Sequence, residues 1–393
     1  MPWKGKTVEE IREEFALRAL SNQANKSALC REYGISRPTG DKWIERYKAG
    51  LSMSDLSRAP LHTPNRIAPE IEQLIVQMRL AEPAIGAKKI RRMMINRNIA
   101  DVPAVSTINN VLSRNGLITK QASQAAQHHK RFQKEEPNEM WQADFKGSFQ
   151  LQNKQRCHPL SIIDDCTRFG LCGDAKANEQ FLSTKESFEL TFRTFGTPNA
   201  ILCDNGHPWG SSQSTSITKF EVWLMEHGIL TIHTRIKHPQ CQGKVERFNG
   251  SYKRERLQFY TPMDMVDAQR CREEYLRFYN YERPHEALDM DVPADHYRPS
   301  DRKYSDIVPD WEYESGGHLC TVKPSGYITF EGQGYFLSEG LGEKQVMLYP
   351  NPQKDGVLDV VFREFTVAKL SLDERTIQSR RVYLRHNDPR RNV

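Results

Sequence analysis

An acidic residue lies inside a predicted β-strand, in the stretch Trp141-Gln142-Ala143-Asp144-Phe145. Apolar Ala143 and Phe145 flank Asp144, and a carboxylate buried among such neighbours is costly unless a partner or a metal ion stabilises it. The strand opens a region in which strands and helices alternate, which predicts a mixed sheet with helices on its faces. The stretch therefore predicts an α/β domain that carries a polar site on one strand.

The elements of this α/β region are predicted from hydrophobic periodicity. The first strand, from Trp141 to Leu151, is interrupted at Lys146-Gly147. Further strands are predicted over residues 158–163, 169–173, 200–203 and 229–234, and helices over residues 182–195, 216–227 and 239–257.

Two more carboxylates occupy positions where such a sheet could gather them with Asp144. Asp204 directly follows the predicted strand 200–203, at the end where α/β sheets place their sites, and Glu246 lies in the helix that begins near Pro239. Each has an ordinary structural interpretation, since Asp204-Asn205-Gly206 is typical of a turn and a glutamate in a charged helix is usually solvated. Together, however, oxygen ligands from three separate elements suit Mg²⁺, which keeps water and substrate phosphate as its remaining ligands.

Basic charge is concentrated in the first third of the chain. The 393 residues, enough for about three or four domains, carry a net charge of +6, whereas residues 1–136 hold 23 Lys and Arg against 14 Asp and Glu. Such an excess suits contact with nucleic-acid phosphates, and a solvated surface is the alternative.

Composition also limits the cellular setting. Apolar residues make up 38% of the chain, no apolar run approaches membrane-spanning length, and the first residues carry alternating charge rather than a signal peptide. The eight cysteines form no CxxC pair or zinc-finger spacing. We therefore expect a cytoplasmic protein with no membrane partner and reduced thiols.

Two helical units are predicted before the α/β region. In residues 1–56, a helix over 8–20 precedes a helix, a turn at Gly34 and a helix over 37–48 capped by Ser36, which is typical of a helix-turn-helix; a generic three-helix bundle is the alternative. Residues 67–118 repeat the scheme with helices over 69–80 and 86–96 and a third capped by Ser106. The faces predicted to contact DNA are Arg37, Thr39, Lys42 and Arg46 in the first unit and Thr107, Asn109, Asn110 and Arg114 in the second.

Two polar segments separate these units. Residues 57–66, with Arg58 and Arg66, form a basic linker that is either an arm for a DNA minor groove or a plain connection. Residues 119–138 form a second linker before the core, residues 139–300.

Short strands follow the core in residues 311–393. Strands over 327–330, 334–337, 344–348, 358–362 and 365–370, with turns between them, predict a small β-barrel. This barrel would contact DNA or another subunit, or would serve as a purely structural cap. The predicted fold class is therefore multidomain α+β, with all-α helix-turn-helix units, an α/β core and a C-terminal barrel.

Four motifs carry a family resemblance that covers about residues 137–300. The stretch around Asp144, the Asp204-Asn205-Gly206 turn, the run from His238 to Asn249 and the run from Tyr279 to Leu288 resemble the integrase core of bacterial insertion-sequence transposases. The resemblance implies a ribonuclease H-like fold in which Asp144, Asp204 and Glu246 hold two Mg²⁺ ions, with Mn²⁺ as a substitute, and in which Gln242 and Asn249 line the site. Many relatives have a shorter spacing than the 41 residues between Asp204 and Glu246, which indicates a longer loop at residues 207–216.

The same resemblance implies a DNA transposase that binds the ends of an insertion sequence, cleaves their 3′ ends and transfers the strands into target DNA. Its partners would be double-stranded DNA and further copies of the chain, as a homodimer or homotetramer, with no small-molecule substrate, at the nucleoid of a prokaryotic cytoplasm. A silent DNA-binding regulator and a nuclease of the same fold are the alternatives. Around Glu246 we expect phosphate contacts, rather than a solvated helix face, from Lys244, Arg247, Lys253 and Arg254.

Overall fold

The computed structural model describes residues 6–22, 24–56, 67–118, 133–145, 147–210, 216–234, 242–378 and 382–384. The chain divides into two compact units, Met1–Ile67 and Ala68–Val393. Arg58 and Arg66, and most of both predicted linkers, lie outside the described residues. No helix in the described ranges is long and apolar enough to span a membrane.

The first unit contains three helices, α1 (Val8–Ala19), α2 (Lys26–Glu32) and α3 (Arg37–Lys48). Ser36 caps helix α3, as the sequence predicts: its hydroxyl accepts a hydrogen bond from the Thr39 amide. Gly40 allows α3 to pack closely, because a Cβ there would lie 2.7 Å from the Cys30 sulfur. The buried core comprises Phe15, Ala16, Ala19, Cys30, Trp43, Ile44 and Met53.

The second unit also begins with three helices, α4 (Pro69–Ala81), α5 (Ala87–Asn96) and α6 (Val105–Arg114). The cap predicted for α6 is wrong: the helix starts one residue before Ser106, with Ala104 at the N-cap and no side-chain capping bond. The register shifts because Val105 continues the apolar stripe that buries Ile108, Val111 and Leu112.

The core domain is built on a mixed sheet of strands β1 (Met140–Phe145), β2 (Phe149–Gln150), β3 (Arg156–Asp164), β4 (Gly170–Lys176), β5 (Ala200–Cys203) and β6 (Leu230–His233). Strand β3 pairs antiparallel with β1, β2 and β4, whereas β5 pairs parallel with β1 and with β6. This order, three long antiparallel strands followed by two parallel ones, gives the core a ribonuclease H-like fold.

Helices cover this sheet: α7 (Phe181–Phe195), α8 (Lys219–Glu226), α9 (Gly243–Tyr252) and α10 (Met265–Tyr281). A five-residue π-helical segment, Lys253–Leu257, follows α9. Trp141, Phe188, Phe192, Trp209 and Phe220 are buried together between β1, α7 and α8. Trp209 therefore anchors the loop that was predicted to be longer than in relatives.

The C-terminal region is an open sheet, and the predicted small β-barrel is not found. Its strands are β7 (His318–Thr321), β8 (Tyr327–Phe330), β9 (Gln333–Phe336), β10 (Gln345–Pro350), β11 (Val357–Phe362), β12 (Phe365–Ser371), β13 (Thr376–Gln378) and β14 (Tyr383–Leu384). The main ladder runs β13-β12-β11-β10-β7 with β14 also on β12, while β8 and β9 form a separate hairpin. Within the described residues the end strands β7 and β13 do not pair with each other, so a closed barrel is not confirmed.

Candidate active site at the carboxyl edge of the sheet

Asp144 lies near the carboxyl end of the central strand β1, on the face that α9 covers. Side chains alternate along a strand, so Asp144 shares a face with the fully buried Gln142, whose Oε1 accepts a bond from the Val245 amide of α9 at 3.2 Å. Asn249 of the same helix donates from Nδ2 to Asp144 Oδ2 at 2.9 Å. Helix α9 is thus held against the acidic end of β1.

Asp204 follows the neighbouring strand β5 at the same level. The parallel register pairs Met140 with Ala200 and Gln142 with Leu202, so its continuation sets Asp204 beside Asp144. Neighbouring strands lie about 4.8 Å apart. The Asp204 carboxylate accepts a bond from the Gly206 amide at 2.9 Å, which fixes the turn after the strand.

His233 of β6 supports the backbone of this turn. Its Nδ1 lies 2.8 Å from the Asp204 carbonyl oxygen, and its Nε2 lies 2.9 Å from the Glu221 carboxylate. Burial opposes the charge on the imidazole, but hydrogen bonds to Cys203 and Glu221 raise the pKa of His233 to about 11. A protonated imidazole donates from both nitrogens, so His233 can donate to the Asp204 carbonyl oxygen and to the Glu221 carboxylate at the same time.

Glu246 lies on α9, three residues before Asn249, and its side chain is exposed. Residues at this spacing share a helix face, so Glu246 lies one turn from the side chain that contacts Asp144. Gln242 begins the same helix, is buried, and lies with Nε2 3.4 Å from the Ala143 carbonyl oxygen. Both residues that the family resemblance placed at the site, Gln242 and Asn249, therefore contact β1.

Asp144 and Asp204 lie at the carboxyl ends of neighbouring strands and Glu246 lies on α9, but the three carboxylates do not gather around a common centre. Across the described ranges, no group of three His, Cys, Asp or Glu side chains is positioned to hold a metal ion. Three carboxylates repel one another unless a cation lies between them. Their oxygens are the hard ligands that divalent cations of the Mg²⁺ type prefer, so the donor set fits such an ion.

A buried polar cluster behind the site was not predicted from the sequence. The Asp165 carboxylate is fully buried. It accepts a hydrogen bond from Gln142 Nε2 at 2.7 Å and forms an ion pair with Lys244 Nζ at 2.5 Å. Burial and the neighbouring Arg168 lower the pKa of Lys244 to about 8, although Asp165 opposes this. Lys244, predicted to contact DNA, instead ties α9 to the turn after β3.

The other predicted DNA contacts differ in exposure. Arg46, Thr39 and Thr107 are half-buried, and Arg46 donates to the Ser52 carbonyl oxygen. Arg114 is exposed and donates to both carboxylate oxygens of Glu72. The other exposed members are Arg37, Lys42, Asn109, Asn110, Arg247, Lys253 and Arg254.

The run from Tyr279 to Leu288 has a structural role next to α9. Arg283 donates to both carboxylate oxygens of Glu255, at 2.8 and 2.6 Å, and the two side chains are 8% and 6% exposed. Burial opposes ionisation of Glu255, but Arg283 holds its pKa below the usual value. Burial, Arg283 and Lys89 lower the pKa of His285 to about 2, so its imidazole is neutral. This cluster fixes the segment that carries Lys253 and Arg254.

Comparison with known families gives these features a context. Residues 134–239 and residues 227–293 match families that are each described as an integrase core domain, and residues 11–60 match a helix-turn-helix domain. The chain contains an integrase core domain. Integrase core domains are typical of polynucleotidyl transferases, which generally use divalent metal ions, and helix-turn-helix domains generally bind DNA.

Curated relatives match part of the chain. The chain is 28% identical over 160 residues to "Insertion element IS476 uncharacterized 39.2 kDa protein" of Xanthomonas euvesicatoria and 25% identical over 159 residues to "Insertion element IS407 uncharacterized 31.7 kDa protein" of Burkholderia multivorans. The matches cover 40% of this chain and 44% and 55% of those relatives, about half their length.

Among solved structures, the chain is similar to the HTLV-2 integrase catalytic core domain in complex with magnesium. The identity is 19% and the TM-score is 0.32, over 41% of this chain and 98% of that one.

Proposed function

We propose that the chain is a DNA transposase that cleaves the 3′ ends of an insertion sequence and joins them to target DNA. The observation that carries this proposal is the parallel register of β1 and β5, whose continuation sets Asp144 and Asp204 side by side beneath the helix that bears Glu246. The likeness to insertion-element proteins supports the same proposal.

The reaction we propose is two successive displacements at phosphorus. Water attacks the phosphodiester at a transposon end and displaces the 3′ oxygen of the transposon strand as a 3′-OH. This 3′-OH then attacks a phosphodiester of the target strand and displaces the 3′ oxygen of that strand, which takes up the proton and leaves as a 3′-OH. Asp144, Asp204 and Glu246 would hold two divalent ions, Mg²⁺ or in its place Mn²⁺, which lower the pKa of the attacking hydroxyl and stabilise the leaving oxygen.

Neighbouring residues hold two of the carboxylates in place, and basic residues nearby would contact the DNA. Asn249 fixes Asp144, and the Gly206 amide fixes Asp204. Exposed Arg247, Lys253 and Arg254 continue along α9 and the segment after it, where they would contact phosphates of the DNA strand next to the acidic edge.

The helical units supply specificity in this proposal. The helix-turn-helix domain would contact the transposon end through Arg37 and Lys42, and the second helical unit through Asn109 and Asn110, all of them exposed. Two ends require two active sites, so we expect a homodimer or homotetramer on DNA.

Joining of a pre-cut transposon end to plasmid DNA tests the proposal. We expect a labelled end oligonucleotide, taken from the termini of the element that encodes the chain, to become covalently linked to plasmid in the presence of Mn²⁺. A shortened oligonucleotide without linkage would favour the nuclease alternative, and end binding without cleavage or linkage would favour the regulator.

A further inference from the structure

A buried arginine lies at the start of a hydrogen-bond chain that leads to Asp144. Arg272 of α10 is 2% exposed, and its Nη2 donates to the Leu160 carbonyl oxygen at 2.8 Å and to Ser161 Oγ at 2.7 Å. Ser161 donates to Asn249 Oδ1 at 2.6 Å, and Asn249 Nδ2 donates to Asp144 Oδ2 at 2.9 Å. Three consecutive bonds therefore connect α10 to the carboxylate at the site.

The direction of every bond in this chain follows from the arginine. A guanidinium can only donate, so the Ser161 oxygen must accept and its single proton is directed to Asn249. The Asn249 oxygen is thereby occupied, and its NH₂ group is turned toward Asp144. With the opposite amide orientation, an oxygen would face the carboxylate and the two would repel.

Packing alone does not account for an arginine at this position. A buried charge is costly unless it is paired, and within the described ranges Nε and Nη1 of Arg272 have no hydrogen-bond partner. The guanidinium lies 4.6 Å from the Tyr252 ring centre and 5.7 Å from that of Phe248, which stabilise its charge in part. An apolar side chain would fill the same space without these unmet donors.

We propose that Arg272 is a positioning residue for the metal site: through Ser161 it keeps the Asn249 amide turned as a donor to Asp144 and so keeps that carboxylate oriented. This inference rests on the proposed function. A carboxylate that its donor no longer orients binds a cation less tightly, so breaking this chain of bonds would weaken cation binding.

Mn²⁺ binding, measured by the EPR signal of free Mn²⁺, tests the inference without reference to catalysis. We expect Arg272→Met and Ser161→Ala each to weaken Mn²⁺ binding by roughly tenfold to a hundredfold, the range seen when groups that orient a ligand are removed. The double variant should be no weaker than either single variant, because both break the same chain. Arg272→Lys should restore part of the affinity, since an ammonium group also only donates.

Arg270→Met is the matched control, because Arg270 lies on the exposed side of the same helix and pairs with Asp267 and Glu274. It should bind Mn²⁺ as the wild type does. Ser161→Ala removes one hydroxyl only, so it tests the chain even if Arg272→Met does not fold. Wild-type Mn²⁺ affinity in Ser161→Ala would overturn the inference. If the wild type binds Mn²⁺ and the variants weaken it, but no DNA is joined, the proposed function fails while this inference stands.

Discussion

Replacing Asp144 by asparagine is expected to lower the rate of strand joining by about a thousandfold, which corresponds to about 4 kcal/mol of lost charge stabilisation. Asparagine has the same shape, and its side-chain oxygen can still accept the bond from Asn249 Nδ2. The change therefore removes the negative charge and leaves the contact. Binding of the labelled DNA end, measured by fluorescence anisotropy, should be unchanged because the proposal assigns that binding to the helical units.

Asp306→Asn is the control for this variant, because Asp306 is an exposed carboxylate that forms an ion pair with Arg193. It should join DNA at the wild-type rate. An Asp144→Asn protein that joined DNA within about threefold of the wild type, less than 1 kcal/mol in barrier, would remove Asp144 from the reaction.

Truncating Arg283 to alanine is expected to lower the free energy of unfolding by about 3–5 kcal/mol, because it leaves the Glu255 carboxylate buried without its cation. Urea denaturation followed by circular dichroism measures the change. Replacing both partners by apolar residues, as in Arg283→Met with Glu255→Leu, should recover most of the loss, since no charge then remains buried.

The matched exposed pair joins Arg298 to Glu136 at 3.0 Å, with side chains 77% and 64% exposed. Because water already solvates both charges, Arg298→Ala should change the free energy of unfolding by less than about 1 kcal/mol. Equal losses in the two alanine variants would show that the Arg283 pair is not a buried support of α9.

The local pattern of apolar residues was sufficient to predict most helices and strands of the core domain. Strand β5 matches its predicted bounds, Ala200–Cys203, and α7 begins one residue before its predicted start. In both elements, the apolar pattern of the local sequence is enough to predict the element without knowledge of distant contacts. The position of Asp204 after β5 follows directly, which is why one carboxylate could be placed from the sequence alone.

Features that depend on distant pairing were not predicted. The link from Arg272 to Asp144 joins residues more than a hundred positions apart, and Lys244 looks like any exposed basic residue until Asp165 is found beneath it. The predicted barrel failed for the same reason, because closure depends on which strands become neighbours rather than on where each strand lies. That Asp144 and Glu246 bind the same ions remains a prediction. The packing of α9 against β1 favours it.

The most direct test of the central claim, that Asp204 is a ligand of the catalytic ions, replaces Asp204 by cysteine and compares joining in Mg²⁺ with joining in Mn²⁺. A thiolate is a poor ligand for Mg²⁺ and a better one for softer divalent ions. We expect the variant to be inactive in Mg²⁺ and to recover measurable joining in Mn²⁺. Joining at the wild-type rate in Mg²⁺ would contradict the assignment of Asp204 as a metal ligand.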